Sequence, residues 1–265
     1  MSALLNDLRA LGIVPGDRVA LHSSWRAVRP VEGGAEAVID ALQQAIVPHG
    51  TLMMPAFREH LGEPFQLETT PSGCGLLTEL FRRRPGVQRS LHVSHSALAW
   101  GDRADWIVSA HEEGRTALGV DSPFDRLAQI GGKTLMAGVG FNRNSLIHVG
   151  EAHARVPYLD VPWLPEFAAP VDYFDRAGVR RSTRIAECPG CSENFGVVEA
   201  RMRRKGLVRD GKLGNAAAMV ALGRDVIATV KEMLAESPDA LLCPEASGCP
   251  HCAPARAAIR SWSQR

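Results

Sequence analysis

His148 and Glu151 stand three positions apart in the run Gly138-Val139-Gly140-Phe141-Asn142-Arg143-Asn144-Ser145-Leu146-Ile147-His148-Val149-Gly150-Glu151. On a helix that spacing puts both side chains on one face. A carboxylate beside an imidazole supports the protonated ring and fixes which nitrogen carries the proton, as a general base requires. The same spacing also describes an exposed ion pair that stabilises a helix weakly and does nothing else. Spacing alone leaves both readings open.

Sulfur supplies a second constellation. Cys188-Pro189-Gly190-Cys191 and Cys249-Pro250-His251-Cys252 are two C-x-x-C elements, with Cys243 shortly before the second and Cys74 apart. The spacing fits a tetrahedral zinc site with Cys188, Cys191, Cys249 and Cys252 as ligands, the Pro-Gly supplying a tight turn. Four thiolates leave no open position, so this zinc would be structural and would clip the C-terminal stretch to the body. Unpaired thiols and a redox dithiol are the alternatives.

The elements that must position these residues alternate along the chain. Apolar residues at helical spacing over 2–12 predict a helix capped near Gly12. Arg18 to His22 predicts a strand running into Ser23-Ser24, Gly33 to Val47 a helix, and Gly50 to Met54 a strand stopped by Pro55. Arg58 to Gly75 reads as a long loop over a cleft, and Gly75 to Arg84 as a helix. Ser96 to Trp100 is a strand, and Ala104 to His111 a helix. Ser122-Pro123-Phe124-Asp125 has the order of a capped helix start. Lys133 to Val139 is a buried strand that ends in the glycine-rich turn before His148, with Asn144 or Ser145 as helix N-cap. From Val171 the pattern is strand-like. Glu199 to Arg204 and Ala216 to Leu234 read as helices. This rhythm predicts an α/β fold with a mixed central sheet flanked by helices. The His148 segment would then lie at the carboxyl end of a strand, where open sheets bind ligands.

Five stretches in order resemble the aminoglycoside 3-N-acetyltransferase family. They are Leu21-His22-Ser23-Ser24 with the Gly33-Gly34 turn, Gly50 to Pro55, Arg89 to Ser96, Ser122 to Leu127, and the His148 segment itself. The match is good over about residues 15–160 and continues less sharply to the C-terminus. The resemblance implies acetyl transfer from acetyl-CoA to an amine, the 3-amino group of a deoxystreptamine ring, by one acetyltransferase domain over 1–265. Within it, 186–265 would form an accessory cysteine-containing lobe. His148 would be the general base, Glu151 would orient it, and His95 would be a second polar active-site residue. The matching segments would line the acyl-CoA site through Ser23, Ser24, Arg89, Ser90, Ser96, Ser122 and Phe124. Plainer readings stand beside these: Ser23 and Ser122 as turn and helix caps, His92 and His95 as satisfied core residues. The chemistry agrees with the resemblance, because an ammonium cannot attack a thioester until it loses a proton, and histidine removes one near neutral pH. The cysteine cluster departs from the family's pattern and bears on the substrate more than on the reaction.

Composition limits the alternatives. The chain has 265 residues, 45% of them hydrophobic, a formal net charge of +1 and 6% aromatics. Near-zero charge with few aromatics argues against a nucleic-acid-binding zinc-knuckle module. Arg82-Arg83-Arg84 and Arg201 to Lys205 then read as helix surfaces or neighbours of CoA phosphate. The amphipathic N-terminus is no signal peptide and no apolar run would span a bilayer, so a cytoplasmic protein with reduced cysteines and no membrane partner is expected. A homo-oligomer is compatible with the sequence. Glu59, Glu63, Glu68, Asp160 and Glu166 could draw in a cationic sugar, and Arg58–Gly75 and Tyr158–Phe174 would shape its site. Another amine metabolite is the alternative acceptor.

Overall fold

The computed structural model describes residues 1–58, 60–112, 117–161, 165–185, 187, 189–262 and 264. Glu59, Cys188 and the Glu166 side chain lie outside the described residues. In chain order the elements are α1 (Ser2–Ala10), β1 (Arg18–Ser23), α2 (Trp25–Val28), α3 (Gly34–Ile46), β2 (Thr51–Phe57), α4 (Leu76–Arg82), β3 (Gln88–Arg89), β4 (His95–Gly101), α5 (Ala104–Val108) and α6 (Pro123–Gln129). They continue with β5 (Lys133–Ala137), α7 (Leu146–His153), α8 (Pro165–Ala168), β6 (Val171–Phe174), β7 (Arg180–Thr183), α9 (Gly196–Arg204), β8 (Arg209–Leu213), β9 (Ala216–Leu222), α10 (Gly223–Glu236) and α11 (Cys252–Trp262).

Seven strands form one mixed sheet in the order β3-β4-β2-β1-β5-β9-β8. The central three, β2, β1 and β5, are parallel, and the flanking strands are antiparallel. Alternate residues of each central strand enter two cores. Val19, Leu21, Leu52, Met54, Leu135 and Ala137 face the cluster built with α1, α3 and α4. Ala20, Met53 and Met136 face the cluster built with α5, α6, α7, α9 and α10. Period-2 alternation on a sheet covered on both sides explains why these strands read as continuous apolar runs. Val38, Ile39, Leu42 and Ile46 of α3 are fully buried, each worth about 1.5–3 kcal/mol of apolar transfer.

Two expectations are corrected here. Pro55 does not stop β2, which runs on to Phe57. The β1 ladder on β2 ends at Met53, and Pro55 shares its edge with Phe57, whose N–H donates to Cys74 Sγ. The missing N–H of Pro55 therefore removes no ladder bond. Ala216 to Leu222 is not the start of a helix but strand β9, paired with β5 from Ala137↔Ala218 to Lys133↔Leu222 and with β8 on its other side. Sheet pairing overrides the helical preference of alanine, and α10 starts only at Gly223. Residues 186–265 thus supply two strands of the main sheet. Leu241, Leu242, Cys243, Cys252 and Ala255 pack in the same core as α7 and α10.

The loop between β2 and α4 is tied to the β6–β7 hairpin. The N–H of Phe65 donates to Asp172 O, and Phe174 N–H to Phe65 O. The basic runs lie on helix surfaces among carboxylates, Arg82 and Arg83 on Glu79, Arg84 on Glu36 and Asp40, Arg203 on Glu199 and Asp210.

Candidate active site

The segment that carries His148 is positioned by two glycines. β5 ends at Gly138, at φ 68, where a Cβ would lie 2.4 Å from Ala27 Cβ, so only glycine lets the chain turn against α2. At the start of α7, Asn144 Oδ1 accepts the N–H of Leu146 at 3.2 Å, while Ser145 makes no side-chain cap. The second glycine is Gly150, where a Cβ would stand 2.6 Å from Val230 Cβ of α10. That close approach seats α7 on α10. Gly150→Ala is expected to lower stability by about 1–3 kcal/mol through overpacking and to cut turnover by displacing α7. Urea denaturation and steady-state rates check this, and an unaltered enzyme would show that the approach is not needed.

Within α7, His148 and Glu151 meet in the interior rather than at the surface. His148 Nδ1 lies 2.7 Å from Glu151 Oε2, and the side chains are 10% and 2% exposed. The ordinary exposed helix pair is thereby set aside. The Tyr158 hydroxyl donates to the other carboxylate oxygen, Oε1, at 2.7 Å. Burial, then the charge of Glu151, pushes the Tyr158 phenol well above its usual range, so it remains a donor. With Tyr158 and His148 both donating to Glu151, Nδ1 carries the ring proton. Nε2 is then the nitrogen free to accept one. The His148 ring meets Phe195 edge-on, with centroids 4.9 Å apart.

Tyr158 carries no catalytic signal in the sequence, because nothing there shows that a turn seven residues past Glu151 comes back to it. Tyr158→Phe would leave a buried carboxylate oxygen without its donor. The expected cost is about 1–3 kcal/mol of stability, with turnover falling about tenfold as Glu151 holds the ring less well. Equal stability and rate would show that Tyr158 supports nothing here.

His148 opens on a cavity of about 910 Å³, large enough for a drug-sized molecule. The cavity lies beyond the carboxyl ends of the three parallel strands and is lined by Ser23, Ser24, Pro55, Phe57, Gly73, Cys74, His95, Val139, Asn144 and Ser145 among others. Of the two segments expected to shape its rim, Arg58–Gly75 reaches it through Gly73, Cys74 and Gly75. No described residue of 158–174 does so. Glu63, Glu68 and Asp160 are likewise not in the wall, whereas Glu193 is.

Histidines surround His148 at different depths. His95 lines the cavity with its Nδ1 2.8 Å from Ser94 Oγ and its ring 4.6 Å from Phe57. Burial, then His92 and His148, holds it well below the usual histidine range, so it is neutral at physiological pH. His22, in the first matching stretch, clamps β1 to the start of α7. Its Nε2 accepts the N–H of Ser145 at 3.4 Å and lies 3.1 Å from Ser145 Oγ. Burial lowers it to about 4. His92 is a core residue whose Nδ1 accepts the N–H of His95, and whose ring stacks on His111 at 4.6 Å.

Five expected donor-site residues are not brought to the cavity. The Arg89 guanidinium is filled by Ser96 Oγ and by the carbonyls of Ala56 and Thr70, and lies over the Phe65 ring. It staples the β2–β4 edge to the loop before α4, so no fork remains for phosphate. Ser96 Oγ in turn donates to Ala56 O. Ser90 Oγ accepts the N–H of Ala97 and faces His111 Nδ1 at 2.8 Å. Ser122 caps α6 by accepting the N–H of Asp125. Phe124 is fully buried against His22 and Phe57. Each belongs to a matching motif, and its work is structural.

The cysteines converge on a fourth partner that spacing did not select. The Sγ atoms of Cys191, Cys243, Cys249 and Cys252 all lie within 4.8 Å of one another. Cys191 is 3.7 Å from Cys243 and 3.8 Å from Cys249. Tetrahedral zinc with Zn–S bonds near 2.3 Å needs sulfurs about 3.8 Å apart, whereas a disulfide needs about 2.05 Å. Burial pushes the Cys191 thiol up and Cys252 to about 11. Burial opposes the Cys249 thiolate too, but the N–H groups of Cys252 and His251 outweigh it and bring that thiol to about 7. Cys243 enters because the chain turns back at Gly248, at φ 62, and returns Cys252 to it, the N–H of Cys243 donating to Cys252 Sγ at 3.4 Å.

Comparison with known proteins supplies the family. Residues 21–235 match the family described as aminoglycoside 3-N-acetyltransferase. Aminoglycoside N(3)-acetyltransferase IV of a Salmonella species is 33% identical over 253 residues, covering 92% of this chain and 91% of that protein. The crystal structure of the aminoglycoside acetyltransferase AAC(3)-IVa apoenzyme superposes with a TM-score of 0.85 at 32% identity, covering 97% of this chain and 96% of that one. A His-to-Ala variant of AAC(3)-IVa in complex with gentamicin gives 0.88 at the same identity and coverage. The chain belongs to the aminoglycoside 3-N-acetyltransferase family.

Proposed function

We propose that this chain transfers the acetyl group of acetyl-CoA to an aminoglycoside, at the 3-amino group of the deoxystreptamine ring. The observation that carries the reading is the buried Tyr158–Glu151–His148 relay opening on the cavity, in a chain of this family. His148 Nε2 takes the proton of the acceptor ammonium. The neutral amine attacks the thioester carbon and the C–N bond forms, the nitrogen giving up its second proton to solvent; the C–S bond breaks, and the CoA sulfur leaves with the proton returned by His148. Glu151 holds the imidazolium that forms between these steps. His95, kept neutral, can bond a substrate group without repelling that imidazolium.

Asn144 is suited to the oxyanion. With Oδ1 turned to the Leu146 N–H, its Nδ2 is buried with no protein partner in a residue that lines the cavity, and a small rotation of the amide would present it to a bound ligand. A donor held this way stabilises charge only when a ligand brings it. Asn144→Ala is expected to lower kcat about 100-fold with little change in acceptor KM, and an equal fall in both substrates' affinities would point to binding instead. Ser23 and Ser24 line the cavity and suit the amides of a pantetheine arm, with Arg26 at the mouth for phosphate.

The four clustered thiolates of Cys191, Cys243, Cys249 and Cys252 hold a structural zinc ion in this reading, supported by their sulfur spacing. In the same reading one domain spans 1–265, and dependence on acetyl-CoA together with thiolates free to hold a metal supports a cytoplasmic location. Thiol release from acetyl-CoA against gentamicin, apramycin and simple amines tests the reaction. Release with simple amines and not with aminoglycosides would replace the acceptor class. Metal analysis of protein purified without chelator tests the zinc, and four titratable thiols with no metal would remove it.

A further inference from the structure

The cysteine cluster and the cavity share a wall. Cys191 belongs to both, and the strip around it lines the cavity through Pro189, Gly190, Ser192, Glu193 and Phe195. His251, between Cys249 and Cys252, lines it as well. Phe195 at the end of that strip touches the His148 ring. Besides the sulfurs, a side-chain bond ties the strip to the Cys243 segment, Asn194 Nδ2 donating to Leu242 O at 2.8 Å.

Glu193 is the one carboxylate among the described residues lining the cavity. Its side chain is 63% exposed, and its ion pair is with Arg143, another lining residue, at 3.9 Å. A loose pair of this length is weak and leaves the carboxylate available to a cation. An acceptor carrying several ammonium groups needs such a carboxylate held at a fixed distance from the base.

We infer that the metal-bound cysteine cluster positions the acceptor wall, holding Glu193 where it meets an ammonium group of the polycationic acceptor. The inference rests on the proposed acetyl transfer to an aminoglycoside and on the zinc. Four ligands drawn from positions 191 and 243–252 fix the strip at its base, so metal and acceptor affinity are linked without contact between them. The cluster is a positioning element and Glu193 a specificity residue; neither touches the reacting atoms.

Two binding measurements test it without relying on turnover. Calorimetric titration with gentamicin should show Glu193→Gln weakening binding about tenfold, with CoA affinity unchanged. Replacement of zinc by cobalt(II) gives a thiolate–cobalt absorption band, and gentamicin should shift that band with the dissociation constant found by calorimetry. In Glu193→Gln the shift should need about tenfold more gentamicin. A band unmoved at saturating gentamicin, or a Glu193→Gln protein that binds gentamicin as wild type does, would overturn the inference and leave both underlying readings intact. Protein that holds no metal would remove the zinc and the inference together. Protein that holds the metal and binds CoA but no gentamicin would remove the acceptor class and the inference, leaving the zinc.

Discussion

His148→Ala is expected to lower kcat by about 100- to 10,000-fold, the usual contribution of a positioned general base. That range corresponds to about 3–5.5 kcal/mol of transition-state stabilisation. Affinity for CoA and for the acceptor should change by no more than a few-fold, because the ring is mostly buried and offers the cavity a single nitrogen. The loss therefore falls on kcat rather than on KM, the pattern of an interaction made only in the transition state. The fold should survive, since the truncated ring leaves Glu151 with its Tyr158 donor. Thiol release, calorimetry with CoA and urea denaturation measure the three quantities. A rate within a few-fold of wild type in a folded protein would take the base away from His148. Glu151→Gln provides the contrast: an amide can still accept the Nδ1 proton but carries no charge to balance the imidazolium. It should fall between wild type and His148→Ala.

The His148–Glu151 contact was legible in the sequence because its geometry is local. Three positions on a helix set the His148–Glu151 contact, and a strand followed by a glycine turn sets the helix at the edge of the sheet. Ser122 was legible for the same reason, since its N-cap bond spans three residues. Residues that act across the chain were not. Tyr158 reaches Glu151 only through the turn after α7, and His22 reaches Ser145 across 123 positions. Glu193 gave no signal among many exposed acids, and its place in the wall depends on the cysteines beside it.

Motif membership also did not mean a place in the cavity wall. Arg89, Ser90, Ser96 and Phe124 lie in matching stretches, yet they hold the sheet edge and the floor behind the cavity. An arginine in a motif and an arginine on phosphate have the same letter, and only the carbonyls of Ala56 and Thr70 around this guanidinium separate them. The alanine-rich start of β9 shows the same limit for secondary structure. Seven residues, six of which favour a helix in isolation, become a strand because β5 and β8 offer them both ladders. The cysteine pattern pointed to a cluster, and the three-dimensional arrangement brought in Cys243, which no C-x-x-C spacing contains.

The second large effect is loss of stability in mild acid. Burial lowers His22 and His92 to about 4, and lowers His95 and His111 well below the usual range. Each is neutral in the folded protein and titrates near 6.5 once unfolded. Above pH 6.5 neither state binds the proton and nothing is lost. Below it the unfolded chain gains protons that the folded one refuses, so stability falls with pH until the folded pKa is reached. The slope is about 1.4 kcal/mol per pH unit for each histidine, and His22 and His92 together cost about 6 kcal/mol by pH 4. A domain of ordinary stability, about 5–15 kcal/mol, is near unfolding at that point before His95 and His111 are included. Glu79, lowered to about 2 chiefly by its bond to Arg82, acts only below its ordinary 4.5 and is separable by its window. Urea midpoints at pH 7.5, 6 and 5 should fall steadily. His92→Asn should destabilise the protein at pH 7.5 by more than it does at pH 5, the gap narrowing by about 2 kcal/mol, because the variant has no ring to protonate. A gap that stays constant over that range would mean that His92 takes up its proton in the folded state as readily as in the unfolded one, and the buried histidines would not be the source of acid lability.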